Sequence, residues 1–324
     1  MPNTPSEASR LTRGYAIAVI AAVVLSSTGI FIRYLTQTYQ MPALVLAMWR
    51  DLFASITLLV SLSILRPAWL KVERRHLPYL LIYGFVLAIF NSLWTLSVSL
   101  NGAAVSTVLA YCSAGFTALL GWWFLKERLD WAKILAVILS LGGCALISGA
   151  LDPAAWQSNL LGILTGVLSG LLYAIYSLMG RSAVQRGIAP WTSLFYIFSL
   201  AAFFLILFNL LLGGILPGTA AHPADLLWLG KAWLGWIILF VLAAGPTVAG
   251  YGLYILCMVY LTSSVANLIV TLEPAFTAVV AYMLLGERFT ATQVGGSLMI
   301  LAGVVFLRVW EGWLGRAAEP ELSL

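Results

Sequence analysis

Glu273 stands near the middle of an apolar run, with Pro274 beside it. A charge at such a depth in a membrane costs roughly 2.5–3.5 kcal/mol on insertion scales, so it needs a partner, water or a proton. Three roles fit this carboxyl: a structural group at a helix break, a site for a substrate ammonium, or a proton carrier. Pro274 frees a backbone carbonyl one turn back, near Val270, and Pro246 does the same near Leu242. Each freed carbonyl is a further acceptor for an ammonium group, and each proline is a hinge candidate. Arg50 and Asp51 are the other charges at depth. Neighbours on a helix point about 100° apart, so these two need not bond to each other, and Arg50 is free to pair across helices. Both are read as structural intramembrane charges, because a broken buried pair leaves an uncompensated charge.

Aromatic and amide side chains surround these charges in the sequence. Tyr79, Tyr83, Phe90 and Trp94 fall on one helical stripe, with Asn91 beside it, and Trp236, Phe240, Thr247, Tyr251 and Tyr254 form a second. Tyr111, Tyr173 and Tyr176 add hydroxyls, and Asn267 and Thr271 occupy positions equivalent to Thr107 and Tyr111 in the repeat described below. Helix packing with interhelical hydrogen bonds, worth about 0.6 kcal/mol each, is one reading of each residue alone. As a set they suit an amphipathic hole for a flat, apolar ligand with polar ends. Tyr83, Asn91, Trp94, Tyr111, Tyr173, Tyr176, Tyr251, Tyr254 and Asn267 are therefore the candidate substrate-binding residues, with Glu273 the candidate for coupling or ammonium binding.

Other chemistry is poorly served. The two histidines, His76 and His222, lie in loops. Cys112, Cys144 and Cys257 are far apart in apolar runs, which suits small buried residues better than metal ligands or a disulfide. No catalytic residue, metal or cofactor is expected. A phosphate-cradling GxxxxGK[ST] motif is absent from the sequence, so direct ATP hydrolysis is not expected.

The elements that must position these groups are membrane helices. Of the 324 residues 62% are apolar and only 9% charged, where a soluble protein carries about 25% charged residues. The net charge of +5 lies in short loops, which marks topology and not a nucleic-acid partner. Apolar runs at about 14–34, 42–65, 77–99, 103–124, 131–150, 159–180, 190–212, 232–256, 264–285 and 290–309 are long enough to span a bilayer. With the N-terminus cytoplasmic, Arg10, Arg13, Arg66, Lys71, Arg74, Arg75, Lys126, Arg128, Lys133, Arg181, Arg186, Arg308 and Arg316 face the cytoplasm. Only Arg33, Lys231 and Arg288 face the other side. That asymmetry supports ten spans with both termini inside. Trp69, Trp122, Trp123, Trp131, Trp191, Trp228, Trp233, Trp310 and Trp313 near the span ends read as interfacial anchors.

The chain also repeats itself. At an offset of 148 residues Gly14 meets Gly162, Arg33 meets Arg181 and Pro42 meets Pro190. At 160, Phe116-Thr117-Ala118 meets Phe276-Thr277-Ala278, Leu125 meets Leu285, Glu127-Arg128 meets Glu287-Arg288, and Gly143 meets Gly303. Five spans per copy would insert the second copy upside down, giving an inverted repeat with a midplane site. The expected organisation is a cytoplasmic tail (1–13), a first five-helix repeat (14–150), a periplasmic linker (151–158), a second, inverted repeat (159–309) and a cytoplasmic tail (310–324). The fold class is all-α integral membrane.

The repeated Glu-Arg corner, Leu272-Glu273-Pro274, Gly142-Gly143, Gly303, Arg50 and the five-plus-five layout together resemble the drug/metabolite transporter superfamily, in its ten-helix EamA-type branch. Within it the chain looks most like bacterial exporters of aromatic amino acids. The resemblance implies a cavity lined by the third, fourth, eighth and ninth helices with parts of the first and sixth, while the fifth and tenth pack. Gly142, Gly143, Gly295, Gly296 and Gly303 suit that packing role. Ser113-Ala114 departs from the pattern where Glu273-Pro274 stands in the second copy. The resemblance implies a bacterial inner-membrane exporter of aromatic or large apolar amino acids working by alternating access, or an exporter of cationic or lipophilic drugs and metabolites. Its expected partners are a small-molecule substrate and the bilayer, and two inverted copies in one chain are compatible with a functional monomer.

Overall fold

The computed structural model describes residues 7–125, 131–148, 153–257, 260, 269 and 272–317, and every element among them is helical. In chain order the α-helices are α1 (Glu7–Thr38), α2 (Ala43–Leu65), α3 (Leu77–Asn101), α4 (Ala103–Ala110), α5 (Ser113–Leu125), α6 (Trp131–Ser148), α7 (Pro153–Gln185), α8 (Pro190–Leu211), α9 (Trp233–Leu242), α10 (Gly250–Cys257), α11 (Glu273–Leu285) and α12 (Ala291–Ala317). Helices are what apolar runs of this length must form in lipid, where each backbone group needs a partner within its own segment. Among the described residues, six helical stretches are long and apolar enough to cross a membrane: Thr12–Thr38, Ala43–Leu65, Arg74–Asn101, Asn159–Gln185, Pro190–Leu211 and Trp233–Tyr254. Shorter apolar helices cover Ala103–Thr117, Ile134–Gly143, Glu273–Leu285 and Ala291–Gly303. Ile64, Leu65, Trp233, Met283 and Leu284 are each at least 70% exposed, an apolar outer surface suited to contact with lipid.

The two halves of the chain interleave. α1 packs on α10 and α11, α3 on α7 and α8, α2 on α8, and α6 on α12. Exchanging the halves maps α1 to α7, α2 to α8, α3 to the α9–α10 segment and α6 to α12. The α3–α7 contact then becomes the α1–α10 contact, while α2–α8 and α6–α12 map onto themselves. The buried set that unites both halves includes Leu35, Leu46, Leu58, Leu80, Ile197, Leu205, Leu239 and Leu242.

Small residues set the closest approaches. A Cβ on Gly84 would lie 2.5 Å from the Cβ of Leu200, so α3 and α8 touch backbone to side chain. A Cβ on Gly143 would lie 2.5 Å from the carbonyl oxygen of Gly296 and 2.7 Å from Ile300, which fixes α6 against α12. Gly295 differs from the packing expectation, because its Cβ position faces open space. Gly143→Leu should therefore destabilise the protein by about 1–3 kcal/mol through overpacking, while Gly295→Ala stays near neutral. Thermal unfolding of the two variants in detergent is the check, and equal midpoints would mean that α6 and α12 do not pack closely at Gly143.

Polar anchors close the ends. Thr192 donates to the carbonyl of Trp69 at 2.7 Å and Tyr196 to that of Leu70 at 3.0 Å. Trp49 donates to Leu226 at 2.6 Å and Trp228 to Tyr39 at 2.8 Å. Asn209, buried in α8, donates to Leu44 and Leu205 and accepts from Ala220, stitching the turn after α8 onto α2.

Candidate functional site

A helix break and a helix start build the site. α4 stops at Ala110 and α5 starts at Ser113, with Tyr111 and Cys112 between them. In the second half α11 starts at Glu273, which is 160 residues after Ser113, so α5 and α11 start at the same repeat position although only α11 carries a proline there. Pro274 lies in the first turn of α11, where its missing N–H leaves no bond unmade. It therefore begins a described helix instead of kinking one. The Tyr111 hydroxyl donates to Glu273 Oε2 at 3.1 Å, joining the break to the start of α11. A carboxylate in the first turn of a helix also faces the positive end of the backbone dipoles.

Tyr111, Tyr173, Tyr251, Tyr254 and Glu273 are all half-buried. Tyr251, Tyr173 and Tyr254 all lie within electrostatic reach of Glu273 or of Tyr111. No basic side chain lies within ion-pair distance of Glu273 among the described residues.

A second group packs beside Tyr173 and is closed. Tyr83, Asn91, Trp94 and Tyr176 are at most 9% exposed. Tyr83 packs on Tyr176 with centroids 5.2 Å apart, Phe90 on Tyr173 at 5.3 Å and on Tyr176 at 6.2 Å, and Phe90 on Trp94 at 6.5 Å. The first aromatic stripe thus faces α7, with Tyr79 donating to the carbonyl of Met179 and lying under the Arg186 guanidinium at 4.4 Å.

Two sequence expectations change in detail. The ion pair of Arg50 is made with its chain neighbour and not across helices: its Nε and Nη2 donate to Asp51 Oδ1 at 3.2 and 3.3 Å. The side chain is long enough to fold back over the 100° between neighbours. Asn91 donates to the other carboxylate oxygen, Asp51 Oδ2, at 2.6 Å, so its amide is engaged in this cluster. The Arg50 guanidinium also sits 5.7 Å from the Trp94 ring centroid, within cation–π reach.

The second stripe is split. Trp236 packs on Trp49 at 4.8 Å and Phe240 on Phe53 at 5.8 Å, away from Glu273, whereas Tyr251 packs on Phe198 at 6.4 Å. The cause is a π-helical segment, Ala243–Ala249, around Pro246. Extra residues per turn rotate everything after it relative to a uniform 3.6-residue register. The same segment engages the carbonyl expected to be free at Leu242, which accepts from the Thr247 hydroxyl at 3.0 Å. Asn267, Thr271 and the carbonyl of Val270 lie outside the described residues.

The break at Tyr111–Cys112 had no local sequence signal; only its repeat relation to Glu273-Pro274 could have revealed it.

The EamA-like transporter family model matches this chain twice, over residues 12–149 and again over 160–309. An uncharacterized transporter of Archaeoglobus fulgidus is 30% identical over 68% of this chain and 73% of its own length. An uncharacterized inner membrane transporter of Salmonella typhimurium, YicL, is 26% identical over 94% of this chain and 98% of its own. One crystal structure superposes with a TM-score of 0.59 at 13% identity, covering 92% of this chain and 98% of that one, a likeness of fold alone.

Proposed function

The chain belongs to the EamA-like transporter family, and from that premise we propose that it exports small molecules across a bacterial inner membrane by alternating access. In this reading ten spans form two inverted five-helix repeats (14–150 and 159–309), both termini are cytoplasmic, and one chain suffices for function. The double match to one family model and the exchange symmetry of the helix contacts support it.

The favoured cargo is an aromatic or large apolar amino acid. One observation carries this choice: Glu273, a carboxylate with no basic partner among the described residues, lies among half-buried tyrosines. A ring stacks on Tyr111, Tyr173, Tyr251 and Tyr254, and an ammonium group meets Glu273. Tyr83, Trp94 and Tyr176 belong to the group packed beside Tyr173 and would join these tyrosines as the helices part, with Asn91 released from Asp51 to the cargo's polar end. The same carboxylate favours a second reading, a cationic or lipophilic compound held by an aromatic cage.

The test is radiolabelled tryptophan uptake into proteoliposomes, with unlabelled amino acids and quaternary ammonium compounds as competitors. Competition by phenylalanine and tyrosine, lost in Tyr111→Ala and Trp94→Ala, supports the amino-acid site. Flux of a cationic dye without tryptophan flux replaces it with the second reading.

A further inference from the structure

The Glu287-Arg288 corner is outside the cleft, yet among the described residues it makes the most heavily bonded carboxylate link between the two halves of the chain. Glu287 follows Gly286, whose left-handed φ of +67° turns the chain out of α11. Its Oε1 accepts from the backbone N–H of Ala103 at 2.9 Å, and its Oε2 from that of Ala104 at 3.2 Å. These are orphan donors at the start of α4, so a carboxylate from the second half caps a helix of the first. Arg33, on α1, places its Nε 3.4 Å from the same carboxylate. Its Nη1 donates to the carbonyls of Val98 and Ser99, among the last of α3. One ion pair thus satisfies both sides of the α3–α4 break. Gly102 sits at that break with φ +90°, and a Cβ there would lie 2.7 Å from Glu287 Oε1. Asn101 extends the cluster to α7, donating to the carbonyl of Gly162 at 2.8 Å.

The cluster is not sealed. Arg33 and Glu287 are each 19% exposed, and a cavity of about 130 Å³ lined by Arg33, Asn101, Glu287, Arg288, Phe289 and Gln293 lies against them. That volume holds a few waters, so the ion pair can hydrate and part.

The other end of α4 meets the cleft. α4 and α11 run antiparallel and are clamped at both ends: Ala103 and Ala104 to Glu287, and Tyr111 to Glu273. Eight residues of helix, about 12 Å, separate the two clamps. We propose that Arg33, Glu287 and the start of α4 form the outer lock of the transport path, and that the α4–α11 pair couples this lock to cargo at Glu273. Cargo that draws Glu273 from Tyr111 loosens one end of the pair whose other end holds the outer mouth shut. The proposal rests on the alternating-access reading and on the outward placement of the Glu287 corner.

Its test needs no cargo. In a background with Cys112, Cys144 and Cys257 replaced, Thr107→Cys places one thiol on α4 between the clamps, at a position now 3% exposed. Labelling by a membrane-impermeant maleimide is followed on whole cells and on inside-out vesicles. Glu287→Gln, Arg33→Gln and Gly102→Ala should each speed labelling on whole cells by at least about tenfold, the scale expected when a closed state gives up one charge-assisted hydrogen bond. Tyr111→Phe should speed it as well, because the far clamp is then missing. Lys231→Gln, at an exposed charge that neither bonds to the lock nor lines its cavity, should not. Unchanged labelling in properly folded Glu287→Gln and Arg33→Gln overturns the lock, and so does acceleration confined to inside-out vesicles. Unchanged labelling in Tyr111→Phe alone overturns the coupling. Because the readout is access to a thiol, the lock can fail while tryptophan flux persists, and the reverse.

Discussion

Asp51→Ala should lower the stability of the protein by about 3–5 kcal/mol, read as a fall on the order of 10 °C in the unfolding midpoint of purified protein in detergent. The Arg50 and Asp51 side chains are only 4% and 0% exposed, and one carboxylate satisfies two groups at once, the Arg50 guanidinium and the Asn91 amide. Removing it strands a buried cation and an unpaired donor together. Trp94 faces the guanidinium at 5.7 Å, but a ring quadrupole replaces only a part of an ion pair. Asp51→Asn should cost less, because its amide oxygen still accepts from Asn91. Removing both charges, as Arg50→Met with Asp51→Leu, should recover most of the stability, since no uncompensated charge is left. A midpoint for Asp51→Ala equal to that of the parent would show that water reaches the pair.

How much of this was legible in the sequence depends on distance along the chain. Most helices follow from apolar runs near 20 residues, a signal set by bilayer thickness, and the long helices α1, α2, α3, α7 and α8 fall where those runs are. The residues of the Glu287 corner were legible as a repeated pair with Glu127-Arg128, but their partners were not: Ala103, Ala104 and Arg33 carry no mark of an interaction across more than 180 residues. The break at Tyr111–Cys112 lacks Gly and Pro, and its amides tighten into short-range bonds to the carbonyls of Val108 and Leu109 that the sequence does not mark. A uniform helical register failed at Pro246, because a π-helical turn leaves no periodic trace and shifts Tyr251 and Tyr254 relative to Trp236 and Phe240. The self-pairing of Arg50 with Asp51 was hidden by the Cα geometry of neighbours, which ignores the reach of a four-bond side chain. Buried capping amides such as Asn209 look like any polar residue in an apolar run until α2 and the 213–222 turn are placed beside them.

Glu273→Gln should raise the KM for tryptophan in proteoliposomes by about 10- to 100-fold while leaving the folded yield unchanged. The substitution keeps the shape of the side chain, and its carbonyl oxygen still accepts from Tyr111, which now donates to Glu273 Oε2 at 3.1 Å. What it removes is the charge. A hydrogen bond to an ionised group contributes about 1.5–3 kcal/mol, and each 1.4 kcal/mol is a factor of ten in affinity, which sets the expected range. The two functional roles of the carboxyl separate in the same assay. If it binds the ammonium only, an imposed pH gradient still drives whatever transport remains. If it carries the proton, Glu273→Gln abolishes accumulation driven by the gradient but leaves exchange of labelled for unlabelled tryptophan across the membrane. A KM and a gradient response both equal to those of the parent would assign Glu273 to the structural role, that of holding α11 against Tyr111 at the break. Such a result would also count against the amino-acid reading, because the cleft described by Tyr111, Tyr173, Tyr251 and Tyr254 has no other acidic group among the described residues to meet an ammonium: Asp51 is fully buried and already engaged by Arg50 and Asn91.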